Sequence, residues 1–267
     1  MKPKHLLSLS VLLISAACSQ PEQKPLTQYV DMYIGTGGHG HVFMGANVPF
    51  GAVQVGPTSI PQEWDWVSGY HRSDSTVIGF SHTHLSGTGI GDLFDVTVMP
   101  VVGGVTYARG TEDDPQSGLW SYFSRKNEKA RPGYYATRLD RYGVDAELTS
   151  TLRCAFHKYT YPAGAQAALL ADLQRSNEHV RAWDIRKEDD NAFAGWQQTG
   201  EKMYFYAVAD RPVTGIEPVA EGDREIRIVR FGDGDGPVEL RIGFSFVSEE
   251  NARKNLEAEM LGRSFAA

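Results

Sequence analysis

Five of the eight histidines in this 267-residue chain fall between positions 39 and 84: His39, His41, His71, His82 and His84. They lie in three glycine- and aromatic-rich segments, YIGTGGHGHVFMGANVPFGAVQVGP (33–57), WDWVSGYH (64–71) and GFSHTHLSGTGIGD (79–92). Three chemistries compete for them. The first is a sugar subsite. Phe43, Trp64, Trp66 and Tyr70 offer flat apolar faces to the C–H side of a sugar ring. The five histidines and Ser68 offer hydrogen bonds to its hydroxyls, and Gly37, Gly38 and Gly69 let a ligand approach the backbone. The second is a metal site, because His-x-His occurs twice (39/41 and 82/84) and residues i and i+2 of a strand face one side. No cysteine is near, however, and the glycines suggest loops. The third is structural, with each imidazole satisfied by a backbone carbonyl. Asp92 and Asp95 are either paired carboxylates or caps beside strands. No nucleophile elbow occurs, and GTGIGD lacks the strand–helix setting of a dinucleotide fingerprint.

The elements that must position these residues are short and β-rich. Runs at 52–55, 96–102, 134–139, 144–151, 155–161, 167–173, 203–209, 225–231 and 238–247 are apolar or alternating and bounded by Gly, Pro or Asp. Alternation is clear where Ile226, Ile228 and Phe231 interleave with Glu225, Arg227 and Arg230. GDGDGP (232–237) reads as a hairpin loop, and the polar stretch 111–133 reads as a long surface excursion. Many short strands with turn signals predict an antiparallel sandwich. Residues 248–260 predict a helix. Ser248 can cap it, Ala252, Leu256 and Met260 recur every four residues, Glu249–Arg253 and Glu250–Lys254 are favourable pairs, and Gly262 can stop it.

The chain carries 26 basic and 33 acidic residues, a net charge of −7. It therefore lacks the electrostatic footprint of a general nucleic-acid binder. Lys2 and Lys4, an apolar stretch from Leu6 to Ile14, and Ser15-Ala16-Ala17 before Cys18 predict a signal peptide over 1–17. A cysteine at that place predicts a lipoprotein, lipidated at Cys18, held at the cell envelope by a polar tether over 18–28. An ordinary cleaved signal is the alternative. Cys154 then has no intramolecular partner and is expected to be a small core residue.

Five segments resemble, in order, the N-terminal domain of the family 92 glycoside hydrolases, bacterial exo-acting α-mannosidases. They are YVDMYIGTGGHGH…GANVPFG (29–51), WDWVSGYH (64–71), GFSHTHLSGTG.GD (79–92), NEKARPGYY (127–135) and SFVSEENARKNLEAE (245–259). Val67 departs from the pattern, where several members of the family carry Cys. The resemblance implies a galactose-mutarotase-like β-sandwich over 29–247 and a linker helix over 248–267 that leads to a catalytic (α/α)6 barrel. It also implies calcium-dependent, inverting catalysis on mannose-terminated glycans. The general acid, general base and calcium ligands would belong to the barrel, and the sandwich would form part of the mannose pocket. The chain stops after the helix, so the expectation is an incomplete catalytic module that binds no calcium and is inactive alone. Inverting hydrolysis needs two carboxylates roughly 6.5–9.5 Å apart, and the motif-rich region offers no convincing pair. A stand-alone carbohydrate-binding module is the alternative. Metal-dependent hydrolysis through the His-x-His pairs is a third.

Overall fold

Among the described residues of the computed structural model, seventeen strands and one α-helix account for the regular structure, apart from two short 3-10 turns at Leu26–Tyr29 and Trp64–Trp66. The model describes residues 25–91, 93–103, 105 and 118–266. The signal stretch, Cys18, the tether up to residue 24, and Asp92 lie outside the described residues.

A seven-stranded antiparallel sheet runs β1 (Ala46–Asn47), β2 (Gln54–Thr58), β4 (Gly79–Ser81), β5 (Thr97–Val102), β11 (Ala167–Asp172), β16 (Arg224–Phe231), β15 (Val213–Glu221). An eight-stranded antiparallel sheet runs β12 (Ala182–Lys187), β13 (Ala192–Gln198), β14 (Lys202–Ala209), β17 (Val238–Ser245), β10 (Cys154–Thr160), β9 (Val144–Ser150), β8 (Tyr134–Leu139), β7 (Lys129–Arg131). The small strands β3 (Thr76–Val77) and β6 (Ser121–Tyr122) pair with each other. The fold is all-β, and alternation explains it. Met203, Phe205, Ala207 and Ala209 of β14 and Val238, Leu240, Ile242 and Phe244 of β17 are buried between the sheets, as are Ile226 and Ile228 of β16. Burial of such side chains stabilises the fold by roughly 1.5–3 kcal/mol each.

The outer face of the larger sheet is covered in part by α1 (Glu249–Glu259), capped by Ser248, whose side chain accepts from the Asn251 N–H. Gly243 makes this possible: a Cβ there would stand 2.3 Å from the Ala252 carbonyl oxygen. Leu256 and Met260 then pack on Cys154 and Phe156 in a second apolar cluster. Of the expected helix pairs, Glu250–Lys254 forms at 2.6 Å. Arg253 instead pairs with Glu257, and Glu249 reaches Arg186 on β12. Gly262 has the left-handed φ, +79°, of a helix stop.

Two expectations are corrected. The 232–237 segment is not a hairpin loop, because β16 and β17 belong to different sheets and the segment crosses between them. The Arg211 guanidinium holds it by donating to the carbonyls of Gly234, Gly236 and Pro237. The described part of the polar stretch, 118–133, is not simply a surface excursion. It contributes β6 and β7, and the Glu128 side chain is completely buried.

Candidate functional site

The three histidine-bearing segments meet at one end of the sandwich. On the rim, Asp65 accepts from two imidazoles, His39 Nδ1 at 2.7 Å and His41 Nε2 at 3.2 Å. The bond from His39 and the weaker one from His41 hold its carboxyl below the usual carboxylate range. Trp64 stands between them, edge-on to His41 with centroids 4.2 Å apart and tilted against His39 at 5.6 Å. Its indole N–H donates to Gly89 O at 2.8 Å, and 55% of its surface is exposed. A Cβ on Gly89 would stand 2.5 Å from the Trp64 ring, so any larger residue there must displace the indole. His39 is exposed and His41 buried. Gly37 and Gly38 are exposed beside them.

Behind the rim, Trp66 stacks on His71 with centroids 4.3 Å apart. The Trp66 N–H donates to Asp74 Oδ2 at 2.8 Å, and Asp74 also accepts from Gln62 and Thr76. His71 Nε2 faces the Gly38 carbonyl at 3.3 Å and Nδ1 faces the Ser73 hydroxyl at 2.7 Å. A carbonyl only accepts, so Nε2 carries the proton and Ser73 donates to Nδ1. Ser68 is buried and donates to Tyr70 O. Gly69 takes φ +87°, and a Cβ there would crowd Phe94 and His84. Tyr70 is buried against Glu128, and both burial and that carboxylate push its phenol up.

The second His-x-His pair lies in the interior. The His84 ring lies between Phe43 and Phe94, each 5.2 Å away. Its Nδ1–H donates to Gln54 O at 2.7 Å, while Nε2 is buried without a partner among the described residues. Burial pushes this imidazole down to about 4. His82 is fully buried. Its Nδ1–H donates to Val96 O at 2.5 Å, and its Nε2 meets His157 Nε2 on β10 at 2.9 Å. The Tyr159 hydroxyl lies 2.7 Å from His157 Nδ1. One assignment satisfies every partner with both rings neutral: Tyr159 donates to His157, His157 to His82, and His82 to Val96. Burial pushes His82 down to about 3 and His157 well below its ordinary value.

Neither His-x-His pair forms a metal site. Among the described residues no group of three His, Cys, Asp or Glu side chains could hold a metal ion. One pair shares a carboxylate by hydrogen bonding, and the other donates to carbonyls. Calcium, which takes about six to eight oxygens, does not fit this nitrogen-rich end. Nor do the described carboxylates here form a free acid–base pair. Asp65 and Asp74 are engaged as described, Asp95 is buried and accepts from Thr83, and Glu128 is enclosed. Sequence reasoning missed Asp65, Asp74 and Glu128. A carboxylate flanked by two tryptophans and near a His-x-His was the available signal for Asp65.

A model of the glycosyl hydrolase family 92 N-terminal domain matches residues 29–245. The chain belongs to this family. The family 92 domain is 32% identical to a solved GH92 α-mannosidase from Bacteroides thetaiotaomicron in complex with mannoimidazole. That likeness has a TM-score of 0.84 and covers 91% of this chain and 35% of the other. An inverting GH92 mannosidase of the same organism is alike in fold, with a TM-score of 0.69 at 20% identity, over 84% of this chain and 31% of that one. An uncharacterized secreted glycosidase of Arthroderma benhamiae is 28% identical over 97% of this chain and 38% of its own length. The chain thus spans about a third of the length of these relatives.

Proposed function

We propose that this family 92 domain forms one wall of the mannose pocket of an exported, exo-acting, inverting α-mannosidase that trims mannose-terminated glycans. The observation that carries the reading is the rim. An exposed indole is fixed by its own N–H, with an exposed histidine and two open glycines beside it. This is the apolar face and polar fringe that a sugar ring requires. Trp64 acts as the platform, and His39 offers a hydrogen bond to a hydroxyl. Trp66, Ser68, Gly69, Tyr70 and His71 shape the wall behind. Phe43, His82 and His84 support it from the interior.

Because the described carboxylates at this end are engaged, the domain binds and orients while proton transfer and calcium belong to a partner domain, an (α/α)6 barrel. Large apolar side chains left exposed, including Ile34, Phe50, Leu152 and Phe246, suit that docking. Phe50 is fully exposed in a left-handed conformation, φ +61°. Bulky residues hold such a conformation rarely, typically where function over-determines it. Export and anchoring through Cys18 rest on the N-terminal sequence, and the secreted relative supports export.

The test is a titration of the chain with methyl α-mannoside followed by NMR. Signals of His39 and the Trp64 indole should move while those of Trp183 and Trp196 stay, and Trp64→Ala should abolish the response. Unmoved rim signals at saturating sugar would sink the reading.

A further inference from the structure

The segment after WDWVSGYH is held by a charged clamp that the pocket reading does not use. Glu128 has no exposed side-chain surface. Its Oε1 accepts from the Tyr135 hydroxyl at 3.0 Å. Its Oε2 accepts from Tyr70 at 3.2 Å and from Arg125 at 3.0 Å. The other end of the Arg125 guanidinium donates to the carbonyls of His71, Arg72 and Asp74. Arg72, 3.6 Å from the same carboxylate, lies over the Tyr33 ring at 4.0 Å. Three motif segments therefore converge on one buried carboxylate.

An unpaired buried carboxylate is expensive, so the cluster must form as a unit or not at all. The three carbonyls that Arg125 grips belong to His71, which stacks on Trp66, to its neighbour Arg72, and to Asp74, which accepts the Trp66 N–H. The clamp fixes both ends of that aromatic pair. A guanidinium suits this because it holds five donors in a rigid planar fork, whereas an ammonium has three on a single rotatable nitrogen.

We propose that Glu128, acting through Arg125, is a positioning residue that sets the orientation of the Trp66–His71 pair in the mannose pocket. The functional half of this inference rests on the pocket reading above, whereas the geometric half does not. Glu128→Gln keeps the shape but removes the charge that pairs with Arg125 and leaves one acceptor end instead of two, which weakens the anchor of the fork.

The test compares Glu128→Gln, Arg125→Lys and Trp66→Ala by NMR and by titration with methyl α-mannoside. In both clamp variants the Trp66 indole signal should shift, those of Trp183 and Trp196 should stay, and affinity should fall roughly tenfold, the scale on which misplaced positioning groups act. Arg125→Lys keeps the buried pair charged and carries the test should Glu128→Gln fail to fold. A folded clamp variant with an unmoved Trp66 signal and unchanged affinity overturns the proposal. A shifted Trp66 signal with affinity unaffected even by Trp66→Ala leaves the positioning intact and overturns instead the role of this wall in sugar binding.

Discussion

His39 and His41 sit on a rim where one carboxylate serves both rings, whereas His82 and His84 are buried and give their protons to backbone carbonyls. The spacing is the same. What differs is the backbone that carries it. The first pair lies in a glycine loop in which His41 itself is left-handed, φ +52°. The second continues directly from β4, so His82 reaches His157 on the opposite sheet. Spacing alone therefore says little about chemistry; the neighbours decide whether an imidazole meets solvent, a carboxylate or a carbonyl.

Acid should separate the pairs most. His82, His84 and His157 are neutral in the fold, with values lowered from the ordinary ~6.5. The unfolded chain takes up protons that the folded one refuses. Their contribution is complete above about pH 6.5 and is lost as pH falls toward the folded values, about 3 for His82 and about 4 for His84. The slope approaches about 1.4 kcal/mol per pH unit for each histidine, or about 4 for the three. Urea unfolding between pH 7 and 5.5 measures it, and a flat profile would mean that the inner pair is not buried neutral.

Truncation comes next. His82→Ala leaves the His157 N–H unpaired and opens a cavity, an expected loss of about 3 kcal/mol. His39→Ala should stay within about 0.5 kcal/mol. Equal losses by urea titration would break the comparison. Gly89→Ala should cost about 1 kcal/mol or less, yet push the Trp64 ring off His41. A moved Trp64 indole signal and weaker mannoside binding would show this, and an unmoved signal would count against the fixed platform. Asp65→Asn should leave stability close to that of the parent chain. It should still free the His39 ring, seen as averaged ring signals.

Much of the architecture was legible because alternation is a local property: the inward row of β14 and the Ala252, Leu256, Met260 stripe of α1 are plain in the sequence. β12 and β15 were not, since both are edge strands with mixed polarity, and β15 carries Pro218. The 232–237 segment misled because its turn chemistry is the same whether the next strand pairs with the last or crosses to the other sheet. At the site, residue type singled out the aromatic and histidine candidates, and the sugar titration tests them. Burial was not legible. His82 and His84 look as available as His39. Glu128 sits in a run of charges that reads as solvated, and only the convergence of Tyr70, Tyr135 and Arg125 makes it a core residue.

Leu93, Phe94 and Val96 all hold left-handed backbone angles, φ +68°, +73° and +51°, at a cost of order 1–2 kcal/mol for each residue. Glycine would relieve each. At 94 it would also remove the ring that covers His84. At 96 it would loosen the turn whose carbonyl holds His82. A laboratory selection for heat resistance should therefore enrich glycine at 93 and leave 94 and 96 unchanged, because the cavity left by the buried Phe94 ring or Val96 side chain costs more than the strain it relieves.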